Sequence, residues 1–270
     1  DSRWRCELMT PEQLRERLTQ VNGDRMALAE DLFGVADFLR THSSVQRALT
    51  DPARSQSDKD SLIDRLFGPV VGEVSLQCLH DLGQGHWSRP RDIVLKIEDA
   101  GCDAVLLNAQ LDGVLEETEA QLVAIAVFLQ SHRDLRNELS NLSALSPKGR
   151  ADLSQQVFGS VVNRPTLRLL RRSVGRASHG HLLEKLRGLA ARAAELSGRR
   201  FVFVESAQDL REDQKNRLEK ILEKKLGSPV SATYTLRPDL LGGLVVRMGT
   251  ERVDASLATR VGALKRSIVG

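Results

Sequence analysis

Aromatic side chains are scarce in this chain: two Trp, one Tyr and seven Phe, 4% of 270 residues. A core poor in rings is filled by Leu, Val and Ala, and 28% charged residues supply solvated outer faces, a profile that suits packed amphipathic helices. Cysteine is scarce as well. Cys6, Cys78 and Cys102 are odd in number, widely spaced and contain no CxxC pair. This argues against a disulfide framework or a thiolate metal site and favours a reducing, cytoplasmic setting. No stretch approaches the ~18 uninterrupted apolar residues of a membrane-spanning helix. A dominant charge is missing too: 39 basic against 36 acidic residues leave a formal net charge of +3, which does not mark a nucleic-acid binder. The length is enough for one large or two ordinary domains with a sizeable core. The opening, Asp1-Ser2-Arg3-Trp4-Arg5, has no initiator Met and resembles neither a signal nor a transit peptide. It fits a chain whose upstream segment was removed or which is the C-terminal part of a longer fusion.

What is present is a repeat. Val35-Ala36-Asp37-Phe38-Leu39-Arg40-Thr41-His42 aligns with Ile125-Ala126-Val127-Phe128-Leu129-Gln130-Ser131-His132 at an offset of 90. Gln20 and Gly23 face Gln110 and Gly113. After one inserted residue, Leu62, Leu66, Phe67, Gly68, Val70 and Val71 face Leu153, Val157, Phe158, Gly159, Val161 and Val162. Chance likeness of two amphipathic helices accounts for isolated leucines more easily than for Phe-Leu-x-x-His and a later Phe-Gly in the same order, so a tandem helical duplication is expected. In the second copy Val114, Thr118, Leu122, Ile125 and Leu129 make one stripe at spacings of three and four. Asp51-Pro52, Gly68-Pro69, Ser146-Pro147-Lys148-Gly149 and Asn163-Arg164-Pro165 read as connections between short helices.

Past Ser197-Gly198 the pattern changes. Residues 201–205 read as a short buried strand, and 212–226 as a helix burying Leu218, Ile221, Leu222 and Leu226, closed by Gly227 and aided by an Asp213–Arg217 pair. Residues 230–236 and 244–248 read as two more strands. Asp254 is a good N-cap for a last helix carrying Leu257, Val261, Leu264 and Ile268 on one face. The expected fold is mainly α: tandem helical bundles, then a small α/β unit ordered strand, helix, strand, strand, helix. The divisions fall at residues 1–99, 100–197 and 198–270.

Reactive constellations are few. His179-Gly180-His181 lacks a third ligand at metal spacing and reads as a solvated loop. His42 and His132, at one place in both copies, suggest packing or capping. Glu116, Glu117 and Glu119 read as charged surface instead of an acid/base pair. Leu241-Gly242-Gly243 lacks the GxxxxGK[ST] spacing and leads into a strand, so it is not a phosphate loop; the glycines permit a tight reversal or bulge. Arg164, Arg168, Arg171, Arg172 and Arg176 form the densest basic run, with Arg168, Arg172 and Arg176 on one face. Without stacking aromatics a solvated or protein-docking face is favoured over nucleic acid.

The order Pro238-Asp239-Leu240-Leu241-Gly242-Gly243-Leu244-Val245-Val246-Arg247-Met248-Gly249, then Val253-Asp254-Ala255-Ser256-Leu257, closes a helical chain. It resembles the signature of the delta subunit of F-type ATP synthase, the family of the oligomycin-sensitivity-conferral protein. The likeness covers about residues 100–270, and the extra copy at 1–99 resembles the enlarged delta subunits of actinobacteria, some fused behind a membrane-anchored stalk polypeptide. Arg211 departs from the family's Ser or Thr helix cap, leaving Glu212 and Asp213 to favour the helix start.

The resemblance implies a peripheral-stalk subunit with no active site, cofactor or metal, held at the cytoplasmic face of a bacterial membrane without inserting into it. An alpha-subunit N-terminal helix would lie against 105–113 and 166–176, at Val105, Leu106, Ala109, Leu167, Leu170, Arg171 and Val174. The C-terminal helices of a b-type stalk would meet Pro238, Leu240, Leu241, Gly242, Gly243, Leu244, Val246, Asp254, Leu257 and Val261. The competing readings are a helical-repeat nucleic-acid-binding regulator, resting on the arginine stripe, and a nucleotide-binding enzyme, which no sequence feature favours.

Overall fold

The computed structural model describes residues 25–141, 145–176, 181–236 and 244–248 and divides the chain into two compact units, 1–112 and 113–270. The first holds α1 (Met26–Thr41), α2 (Ser43–Thr50), α3 (Gln56–Phe67), α4 (Glu73–Gly83) and α5 (Pro90–Leu111). The second holds α6 (Leu115–Ser131), α7 (Arg133–Ser140), α8 (Pro147–Phe158), α9 (Arg164–Arg176) and α10 (Leu182–Leu196). It continues with β1 (Arg200–Ser206), α11 (Glu212–Leu226), β2 (Val230–Leu236) and β3 (Leu244–Met248). The fold class read from the sequence is therefore the one observed. The helix started by Asp254 lies outside the described residues.

The duplication is visible at the level of single hydrogen bonds. Leu28, Leu32, Val35 and Leu39 are the buried stripe of α1, which packs on α5; Leu115, Thr118, Leu122, Ile125 and Leu129 are that of α6, which packs on α10. Both helices end on a histidine. His42 stacks on Phe38 at 4.0 Å and His132 on Phe128 at 3.9 Å. Each ring Nδ1 donates to the carbonyl four residues back, Phe38 O at 2.7 Å and Phe128 O at 2.8 Å. Each imidazole adds a second donor at the helix end, since Phe128 O also accepts the His132 N–H at 3.0 Å and Phe38 O the Thr41 hydroxyl at 2.9 Å. Packing or capping was expected of the two histidines, and the stacked rings and carbonyl bonds combine both. Phe38 then meets Phe67 edge-on and Phe128 meets Phe158 in the same way. Ser55 and Ser146 cap α3 and α8, each hydroxyl accepting from the backbone N–H three residues on.

Within the first unit α5 passes so close to α1 that a Cβ on Gly101 would stand 2.6 Å from the Phe33 ring, which accounts for glycine in mid-helix despite its poor helix propensity. α5 runs unbroken through Asp99, Ala100 and Gly101, where the sequence reading placed its join, and the compact units divide after Asp112.

In the second unit β1 lies between its neighbours, parallel to β2 and antiparallel to β3. The parallel pair is bridged by α11, the crossover such a pair requires. One sheet face, with Val202 and Val204, packs on Leu218 and Leu222 of α11; Leu226, Val230, Tyr234, Leu244 and Val246 extend this cluster. Ile221 and Leu226 are only half-buried. Gly227 stops α11 at φ 66°, its N–H donating to Glu223 O at 2.8 Å. Arg211 has no acceptor to offer as a cap; instead Gln214 Oε1 reaches back to the Arg211 N–H at 3.0 Å, which is half of a capping box. The expected Asp213–Arg217 pair is replaced: Asp213 meets Arg211 at 3.2 Å, and Lys215 takes Glu212 at 2.7 Å.

Candidate functional site

The residues expected to face an alpha-subunit helix divide between the two units. Val105, Leu106 and Ala109 lie on α5 of the first, and all three are buried. Leu167, Leu170, Arg171 and Val174 lie on α9 of the second. Leu170 and Val174 are buried, whereas Leu167 and Arg171 are half-buried and retain surface. Arg171 clasps α9 to α8: one guanidinium nitrogen donates to Gln155 Oε1 at 2.8 Å, another to Asp152 Oδ1 at 3.2 Å. Among the stalk-facing residues, Pro238, Leu240, Leu241, Gly242, Gly243, Asp254, Leu257 and Val261 lie outside the described residues. Leu244 and Val246 point inward to the cluster under α11, and Val245 between them is exposed. That alternation is the two-residue period of a strand with one covered face.

The arginine stripe is not the solvated face that its spacing suggested. Arg172 is 7% exposed, Arg168 is half-buried, and Arg164, Arg168 and Arg172 each already have a partner within the protein. The Arg176 side chain lies outside the described residues. A continuous free cationic strip for phosphates is therefore not what α9 presents. His181 meets Glu184 at 2.9 Å, while His179 and Gly180 lie outside the described residues. Among the described residues no group of three or more His, Cys, Asp or Glu is placed to hold a metal ion, and no helix is long and apolar enough to cross a membrane.

Two polar centres escaped the sequence reading. Arg150 is 1% exposed. Its Nε donates to Val174 O at 2.9 Å and its terminal nitrogens to Gly175 O at 3.3 Å, Leu145 O at 2.8 Å and Asn141 O at 3.2 Å. It thus caps α9 with positive charge, where the helix dipole favours it. The available signal was Lys59, the basic residue at the matching place of the first copy, which is buried as well.

The second centre is Glu119 on α6, read from sequence as surface and found 4% exposed. Arg199, just before β1, donates to its Oε2 at 2.8 Å, and the Ser231 hydroxyl of β2 hydrogen-bonds its Oε1. Arg199 also reaches Glu116 at 3.4 Å. Burial pushes the Glu119 carboxyl above its ordinary range, against the opposing pull of Ser231 and Arg199. On the same sheet face the Arg187 guanidinium lies 4.2 Å over the Phe203 ring. The helical part of the second unit is thus fastened to its sheet by charge-assisted bonds as well as by apolar packing between α10 and β1.

The family described as ATP synthase delta (OSCP) subunit matches residues 102–268. The chain is 32% identical over 252 residues to an ATP synthase subunit delta of Frankia alni, covering 93% of this chain and 90% of that one. It is 32% identical over 250 residues to that of Corynebacterium aurimucosum, covering 91% and 92%, and 33% identical over 252 residues to that of Streptomyces coelicolor, covering 92% and 91%. Alignments of such length extend well before residue 102 and so take in the first helical copy, the enlarged form that the resemblance implied. With its bundle-and-sheet second unit matched throughout and its extra copy shared by these actinobacterial proteins, the chain belongs to the ATP synthase delta (OSCP) subunit family.

Proposed function

We propose that this chain is a non-catalytic stator subunit of an F-type ATP synthase, linking the catalytic alpha/beta head to a b-type stalk and resisting torque during ATP synthesis. The observation that carries this reading is the match of more than nine-tenths of the chain to delta subunits. The bonded joint between bundle and sheet in the second unit supports it. A linker under torque benefits from parts that do not slide, and the Glu119–Arg199–Ser231 centre adds directional bonds to apolar contact.

On this reading an alpha-subunit N-terminal helix docks by its apolar face along α9, touching Leu167 and Arg171. Leu170 and Val174 hold the shape of the helix beneath, and Val105, Leu106 and Ala109 do so in α5. The stalk helices meet the end of the sheet and the terminal segment around Leu240, Gly243, Leu257 and Val261. The chain is then peripheral, on the cytoplasmic face of the cell membrane.

Affinity purification of the chain from its native membrane tests this. Alpha, beta and b-type subunits are the expected companions, and recovery of the chain without any of them overturns the reading. Leu167→Asp should release the alpha subunit while leaving the b-type subunit bound.

A further inference from the structure

The two helical copies hold one helix by equivalent bonds at its start and by different chemistry further along. At the start, Gly72 N–H donates to Asp31 Oδ2 at 2.9 Å in the first unit, and Asn163 N–H donates to Gln121 Oε1 at 2.8 Å in the second. Two turns on, His80 of α4 takes the place that Arg171 has on α9, at the offset of 91 that relates the copies here. His80 Nδ1 lies 3.1 Å from Asp60 Oδ1 and its Nε2 2.8 Å from Asp64 Oδ1, both on α3. Asp64 and Gln155 are again the same position in the two copies. An imidazole can donate to two carboxylates only when both ring nitrogens carry protons. A guanidinium keeps its donors at every relevant pH.

The geometry points to a proton-operated clasp between α3 and α4, closed while the His80 imidazolium bridges Asp60 and Asp64 and loosened when the ring is neutral, with the permanently charged Arg171 clasp as its fixed counterpart. This inference is independent of the stator reading. The charged groups acting on the ring are the two aspartates of α3. Asp81 neighbours it on α4, Asp31 of α1 is taken by Gly72 and Ser75 at the start of α4, and Glu98 of α5 faces Arg40. Burial alone would lower the His80 pKa, but its bonds and charges with Asp60 and Asp64 outweigh this and hold it above the ordinary 6.5. A raised value means that the folded chain binds the proton more tightly than the unfolded one. The clasp's stabilisation is therefore fully present below pH 6.5 and is lost as pH rises through the folded value above it.

Hydrogen exchange on the full chain, corrected for intrinsic rates, reads this directly. Between pH 6 and pH 8.5, protection of the α4 amides should fall several-fold while that of α9 holds, and His80→Arg should abolish the fall. The inference is overturned if α4 changes no more than α9, or if His80→Arg keeps the wild-type dependence. Titration of the His80 ring by NMR in the wild-type chain decides the matter without any variant: a midpoint above 6.5 is expected, and one at or below 6.5 removes the clasp.

Discussion

Glu119 belongs to a run, Glu116-Glu117-Thr118-Glu119, in which a composition-based reading sees only solvated charge. Glu116 and Glu117 are exposed as that reading expects. Glu119 is not, because it follows Leu115 by four residues and precedes Leu122 by three, and that spacing carries it onto the covered face of α6. Charge identity masked a position that periodicity alone would have placed inside. Its pKa is raised above the ordinary 4.5, first by burial, so the folded chain holds this proton more firmly than the unfolded one. The contribution of Glu119 to stability is therefore full below pH 4.5 and declines as pH rises through the folded value. Glu119→Gln removes the charge and keeps a carbonyl for Arg199. Its urea-unfolding stability relative to wild type should rise between pH 4.5 and pH 7.5, and an unchanged difference would mean that Glu119 is solvated. Glu119→Ala should cost about 2–3 kcal/mol at pH 7, less than a fully buried pair because 27% of the Arg199 side chain meets water.

At the scale of elements, legibility followed turn chemistry and period. Gly227 after a run of leucines at helical spacing placed the end of α11, and alternation or short apolar runs placed β1, β2 and β3 within a residue of their observed bounds. Replacing Gly227 by Ala puts a Cβ on a residue at φ 66° and should cost about 1–2 kcal/mol. Thermal unfolding should register this together with faster exchange of the last-turn amides of α11. A variant that melts like wild type would show that another residue stops the helix. Less legible was the way each end is satisfied. The cap of α11 comes from Gln214 because Arg211 cannot accept, and α9 is capped by Arg150, 24 residues from Val174 in sequence. Caps supplied from a distance leave no local pattern. The Phe38–His42 and Phe128–His132 pairs were legible because duplication repeated them.

At the scale of the whole molecule, the join between the sequence copies falls inside a helix. Self-similarity marks where a unit recurs, but covalent continuity of a helix obeys propensity and capping, and nothing between Pro90 and Leu111 stops one. α5 has 22 residues where α10, its counterpart in the second copy, has 15. The added length carries Leu106 and Ala109, and the family match itself starts at residue 102, inside this helix. The end of one repeat and the opening of the next thus form a single rod with Ile93, Val94, Ile97, Ala100 and Ala104 buried along it. Asp99 is exposed at the middle, and a proline there interrupts the helical backbone. In a continuous helix Asp99→Pro deletes the bond to the fourth residue back and crowds its carbonyl, at about 3 kcal/mol. Thermal unfolding of the full chain followed by circular dichroism should show the first unit melting earlier while the second keeps its transition. If the variant unfolds as wild type does, two helices meet at residues 99–101, and the copies are joined by a hinge instead of sharing a rod.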